Sequence, residues 1–231
     1  MRERLGRWFV TEREKIAAMT RRQAAEYIWE YYKLWIIGFV CLVWFTTFAV
    51  TRYRMANRDH WLYITFANTR ANIGAESELW QGYVDYAGFD LKRKDVVFNN
   101  EAYFDYAKDQ ARGNVYYEVF VGFTDAGVLD AVTMNPGALT ALGRTGRLLD
   151  LSREACASIR EKYGDRFLYT QPYDQQDNGA QVPVGIDISD SRLVTEYHAY
   201  TQGAALGIGA NSGNIDAVEL FLDYIFREGQ P

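Results

Sequence analysis

An uncharged apolar run, Leu34 to Val50 with the sequence LWIIGFVCLVWFTTFAV, begins after 33 preceding residues and constrains this chain more than any other segment. At about 1.5 Å per residue its 17 residues reach roughly 26 Å as a helix, near the lower limit for a hydrocarbon layer of about 30 Å. The flanks supply the remainder. Tyr27, Trp29, Tyr31, Tyr32 and Trp35 crowd one end while Tyr53 and Trp61 mark the other, and amphipathic rings favour the headgroup level. Lys33 and Arg52 can extend their charged ends outward along apolar stems. A core helix of a soluble protein is seldom apolar on every face. A cleaved signal would lie nearer the start and lead into small residues, whereas this run leads into Thr51-Arg52-Tyr53-Arg54. The expectation is an uncleaved single-pass anchor over residues 34–52, with the lipid bilayer as its partner.

Charge bears on orientation. Close to the run the basic residues are tied, Arg21, Arg22 and Lys33 before it against Arg52, Arg54 and Arg58 after it. Over the whole chain, residues 1–33 hold 8 basic and 5 acidic side chains, and residues 34–231 hold 17 and 25, giving +3 and −8. The balance favours a cytoplasmic head and a C-terminal body outside the cytoplasm, at the cell membrane. The head itself, from Trp8 to Tyr32, has no proline. It spaces Ile16, Met19, Ala24, Tyr27 and Tyr31 by about one helical turn, with Arg13, Glu14, Arg21 and Arg22 polar between them. An amphipathic helix follows, either lying on the inner membrane surface or continuing into the span.

Residues 59–231 have the size and composition of one folded domain, in a chain 48% hydrophobic and 16% aromatic with 4 prolines. Cys41 lies inside the span and Cys156 in the body, so they do not pair with each other. An acidic body argues against nucleic acid, which demands clustered cations. Lys92-Arg93-Lys94 is the one basic run and reads as a turn.

Past the span, apolar runs alternate with helical patterns. Trp61 to Ala67 reads as a strand, Glu76 to Ala87 as a helix ended by Gly88, Asp95 to Phe98 as a strand, and Glu101 to Arg112 as a helix closed by Gly113. Val115 to Ala126 is compatible with a helix or a strand, the helix being preferred. Leu129 to Met134 reads as a strand, and a helix opens after Asn135 with Pro136 in its first position. Leu148 to Leu151 reads as extended, Arg153 to Tyr163 as helical, Phe167 to Thr170 and Val182 to Ile188 as strands, and Ile215 to Arg227 as the closing helix. Such alternation predicts an α/β body, a mostly parallel sheet with helices on both faces.

The stretch from Ala126 through Asp130 to Met134, continuing to Gly146-Arg147-Leu148-Leu149-Asp150-Leu151, resembles the extracytoplasmic solute-binding proteins of bacterial transporters. Val184-Gly185-Ile186-Asp187-Ile188-Ser189 and Gly207-Ile208-Gly209-Ala210-Asn211-Ser212, with Ala217, Phe221 and Leu222, look like that family's closing strand and helix. The whole chain resembles single-pass membrane proteins of Gram-positive bacteria that carry a reduced solute-binding-like domain. The resemblance implies one lobe of a solute-binding protein, without the lipid-attachment cysteine and with room for little more than one lobe. It implies a binding module, for a small solute or for a transporter or envelope partner.

Ligands of open α/β sheets sit beyond the carboxyl ends of strands. The candidate ligand-binding residues are therefore Asn68, Thr69, Asn135, Asp187, Ser189, Asn211 and Ser212, in loops with Arg70, Pro136, Gly137 and Gly213. Helix capping and turn chemistry call for the same residue types.

Catalysis finds little support. There is no Gly-x-Ser-x-Gly, His-Glu-x-x-His or Gly-x-x-x-x-Gly-Lys, so neither a cofactor nor a metal is expected. Gly207 to Gly213 misses the dinucleotide fingerprint by one position and reads as a tight turn. His60 and His198 are the only imidazoles, and the acidic residues Asp85, Asp90, Asp105 and Asp109 show no paired placement. The alternative is a structural or sensory subunit with no small ligand, presenting tyrosines such as Tyr83, Tyr86, Tyr103, Tyr106, Tyr116 and Tyr117 to a partner.

Overall fold

A helix that begins well before the apolar run and ends well after it carries the N-terminal part of the chain. In this computed structural model, which describes residues 17–56, 59–91, 93–105, 113–173 and 180–227, helix α1 spans Arg21–Ala56. Thr20 starts it through a capping box: its N–H donates to Gln23 Oε1 (3.2 Å) and its Oγ1 accepts from Gln23 N–H (3.5 Å). The unbroken helix expected from Trp8 to Tyr32 is therefore interrupted at Ala18–Thr20, because this cap begins a new one. Residues 8–16 lie outside the described residues. From Arg21 the helix continues unbroken into the apolar run, one of the two arrangements expected. Every side chain from Leu34 to Val50 is exposed, Trp35 at 79% and Trp44 at 68%, on a helix long and apolar enough to cross a membrane. Thr46, Thr47 and Thr51 donate their hydroxyls to Leu42 O, Val43 O and Thr47 O, so these hydroxyls find acceptors on the helix's own backbone.

The chain divides into two compact units, Met1–Asn57 and Arg58–Pro231. The second comprises β1 (Asp59–Phe66), α2 (Glu78–Ala87), β2 (Lys94–Asn99), α3 (Val115–Asp125), β3 (Ala131–Met134), α4 (Pro136–Gly143), α5 (Ala157–Tyr163), β4 (Phe167–Thr170), β5 (Val182–Asp187), α6 (Arg192–Thr195), β6 (Ala205–Ile208) and α7 (Ile215–Phe226). The strands form one sheet of order β2-β1-β3-β6-β5-β4. β1 pairs parallel with β2 and β3, while β3–β6, β6–β5 and β5–β4 are antiparallel. The expectation of a mostly parallel sheet fails in its second half. Parallel neighbours need a long crossover, which α2 and α3 supply early in the body. Between β5 and β6 the only helix is the single turn α6, and the chain returns to the end it left.

Helices do cover both faces. On one, Leu62, Ile64 and Phe66 of β1 pack against Leu79 and Tyr83 of α2, Ile159 of α5, and Phe221 and Leu222 of α7. On the other, Val132, Met134 and Val184 meet Phe120 of α3 and Leu139 and Leu142 of α4. Each such fully buried apolar side chain contributes about 1.5–3 kcal/mol. Phe66, Tyr83, Phe98 and Phe221 form a ring cluster with centroids 5.1 to 6.2 Å apart. Tyr83, expected among the contact tyrosines, is fully buried there, donates to Ala217 O, and has its phenol pKa pushed up by desolvation. Cys156 is buried in the same core, and burial likewise raises its thiol.

Asn114 caps α3 by accepting from Tyr116 and Tyr117 N–H, and the segment is helical as preferred. The helix expected over Glu101–Arg112 is absent from Glu101 to Asp105, and 106–112 lie outside the described residues. Side chains capture the backbone there: Asn99 Oδ1 accepts from Glu101 N–H, and the Asn68 amide holds both N–H and C=O of Phe104.

Gly209 follows β6 where two backbones touch, and a Cβ on it would lie 2.3 Å from Leu129 O, whereas one on Gly213 would meet nothing. Gly209→Ala is expected to destabilise the body by about 1–3 kcal/mol in urea unfolding, with Gly213→Ala within about 0.5 kcal/mol of the parent. Arg166 grips Asp190 at 2.6 and 2.9 Å, holding that carboxyl below its ordinary range. Its contribution is complete above the unfolded value near pH 4 and fades as pH falls through the folded one. Arg166→Gln is therefore expected to cost under about 1 kcal/mol at neutral pH, and the difference from the parent should vanish on acidification.

Candidate functional site

Strand direction decides which of the predicted residues meet. β1, β3 and β5 run the same way, so Asn68 and Thr69, Asn135, and Asp187 and Ser189 all follow strands at one end of the sheet. β6 runs the other way, which places Asn211 and Ser212 at the opposite end. The seven residues thus form two groups.

At the first end a groove of about 410 Å³ is lined by Asn68, Thr69, Arg70, Asn135 and the turn from His198 to Gly203. A second, of about 620 Å³, shares Asn68 and Asn135 and runs along Tyr103, Phe104 and Gly137. The residues dividing them are committed to the backbone. Asn68 sits at φ +62°, where its side chain clamps Phe104. Thr69 Oγ1 is buried, donating to Ala199 O (2.6 Å) and accepting from Ala71 N–H (3.1 Å). Asn135 Oδ1 caps α4 by accepting from Gly137 N–H at 3.0 Å. Asp187 Oδ1 accepts from the N–H and Oγ of Ser189, whose Oγ accepts from Ala204 N–H. The Tyr200 hydroxyl bridges the β1 and β3 ends, donating to Ala67 O or Thr133 O, and burial raises its pKa.

The sequence reading did not place Arg70, Thr201 and Gln202 beside His198. His198 holds φ +51°, so two of the described non-glycine residues with positive φ face one groove. The side chains of Arg70 and His198 are exposed and make no hydrogen bond or ion pair among the described residues. They could meet a polar or anionic group. Short-range periodicity carries no signal for such a turn.

At the opposite end the organising group is Asp130, wholly buried at the entry to β3. Its Oδ2 accepts from Tyr63 N–H (2.8 Å), and its Oδ1 from Ser212 Oγ (2.7 Å) and Asn214 Nδ2 (3.2 Å). Asn211 Nδ2 donates to Thr124 O and Asp125 O. The near-fingerprint Gly207 to Gly213 lies here on an antiparallel strand, where Gly207 and Gly209 admit close neighbours. Among the described residues no group of three or more His, Cys, Asp or Glu is placed to hold a metal ion.

Asp130→Ala leaves three buried or half-buried donors without their acceptor, each worth about 1–3 kcal/mol. The expected loss is at least about 3 kcal/mol in urea unfolding, with Asp130→Asn milder because one acceptor oxygen remains.

Comparison of the chain with protein-family models, with curated proteins and with solved structures found no match, so the resemblance to solute-binding proteins rests on its short motifs.

Proposed function

We propose that this chain is a membrane-anchored binding module whose body, outside the cytoplasm, offers a contact surface to a transporter or envelope protein rather than enclosing a solute. The observation that carries this reading is that the body is one compact unit on one sheet, whereas solute capture calls for closure of two lobes. The polar side chains between its strand-end grooves are occupied in holding loops. A surface for protein contact is present on α3, where Val115, Tyr116 and Val119 are 65%, 47% and 43% exposed beside Tyr103 at 42%. Val115, Tyr116 and Val119 border an apolar groove of about 240 Å³ that Thr65 and Asn99 also line. The exposed apolar helix α1 supports the anchor. Arg70 and His198 favour a second reading, in which the strand-end groove of about 410 Å³ that they line holds a small anionic solute.

The anchor predicts that the chain stays with membranes through an alkaline carbonate wash and leaves only in detergent. Detergent extraction should retain a stoichiometric membrane or envelope partner, and Val119→Glu should release it without lowering the melting temperature. Heat evolved on titrating sugars, amino acids or peptides into the intact protein, and lost in Arg70→Ala, would replace this reading with the second.

A further inference from the structure

Arg70 is a cation without an acid, in a body whose residues 59–231 hold 14 basic and 25 acidic side chains. Other cations of the body are engaged: Arg166 holds Asp190, Lys162 bridges Glu219 and Asp223, Arg192 holds Glu196, and Arg144 lies over the Tyr173 ring. Arg70 has no such partner among the described residues. The groove of about 410 Å³ that it shares with His198 is lined by no described Asp or Glu, and Asp105 belongs to the neighbouring groove.

The two loops that meet there are tied together by their own hydrogen bonds. Thr69 Oγ1, one residue before Arg70, donates to Ala199 O, one residue after His198. Ala71 O, on the other side of Arg70, accepts from Asn100 Nδ2 (3.0 Å), and Ala199 N–H donates to Leu193 O (3.0 Å). The Tyr200 hydroxyl, donating to Ala67 O or Thr133 O, fixes the turn to the ends of β1 and β3. Arg70 and His198 therefore stand on backbone that is already ordered, which lowers the entropy lost on binding. Tyr103 carries the same surface across to α3. Its hydroxyl donates to Thr69 O (2.9 Å) and its ring meets Tyr116 edge-on, with centroids 6.0 Å apart.

We propose that Arg70 and His198 form a carboxylate-binding subsite of the contact surface, taking an Asp or Glu side chain of the protein partner while its adjoining apolar residues cover Tyr103, Tyr116 and Val119. This rests on the contact reading of the body. The planar Arg70 fork donates to both carboxylate oxygens, and the His198 imidazole donates one further N–H. An acidic body repels acids elsewhere, so a groove without carboxylates sets the register in which such a partner docks.

The test uses the full-length chain in its own membranes, with photoreactive benzoylphenylalanine in place of Gln202, in the groove, or of Val115, on α3, and sequences the captured peptides. Cross-links are expected at both positions, the Gln202 peptide carrying an Asp or Glu. Arg70→Gln should cut both yields about fivefold at low salt, as for loss of an exposed ion pair, with Arg70→Lys closer to the parent. At high ionic strength parent and Arg70→Gln should converge, which a merely structural role of Arg70 would not produce. A cross-link at Val115 alone, a captured peptide without a carboxylate, or an unchanged yield in Arg70→Gln would overturn the subsite and leave the contact reading standing. Absence of cross-links at both positions would overturn the contact reading, and the subsite with it. Heat evolved by free glutamate or inorganic phosphate, and lost in Arg70→Gln, would overturn it by giving the groove to a solute.

Discussion

A carboxylate sealed from water must be surrounded by donors, and the body is arranged around one that is. Asp130 takes hydrogen bonds from the backbone of β1, from a serine after β6 and from an asparagine at the entry to α7. Three segments distant in sequence are thereby held at one end of β3, the strand at the centre of the ordering. The approach is close enough that Gly127 holds φ +68° and would bring a Cβ 2.9 Å from Asn211 O, while Gly209 admits no side chain. Polar satisfaction and backbone packing are here one constraint. Either broken alone leaves buried groups unpaired.

The same junction explains the distribution of polar residues at the two ends of the sheet. Because β6 enters antiparallel beside β3, its following loop comes down on Asp130 and its preceding loop rises beside Asn135 and Asn68. The end with the grooves therefore collects the turn from His198 to Gly203 instead of Asn211 and Ser212. What is left unengaged there is a cation and an imidazole on a shallow surface. That geometry suits contact better than enclosure.

Much of the architecture could be read locally. Apolar runs and alternation located five of the six strands to within a few residues, and the helix opening at Asn135-Pro136 stands where the chain signals it. Tyr83 shows where local reading ends. Its spacing from Leu79 puts it on the inner face of α2, yet composition alone made it equally suited to a surface patch. Glu101 to Asp105 shows another limit, since helix-compatible residues lost their backbone partners to the side chains of Asn68 and Asn99. Arg70 and His198 were invisible as a pair because 128 positions separate them in the chain.

By itself the sequence determined that α1 is an apolar helix of membrane-crossing length and that the body alternates strands and helices. Those outcomes depend on composition, capping and periodicity within a few residues. Strand direction was decided only in the tertiary structure. A strand buried on both faces shows the same side-chain pattern whichever way it runs, so nothing in residues 205–208 distinguishes parallel from antiparallel pairing. The short return through α6 and the donors around Asp130 made that choice, and with it the choice of which loops share an end.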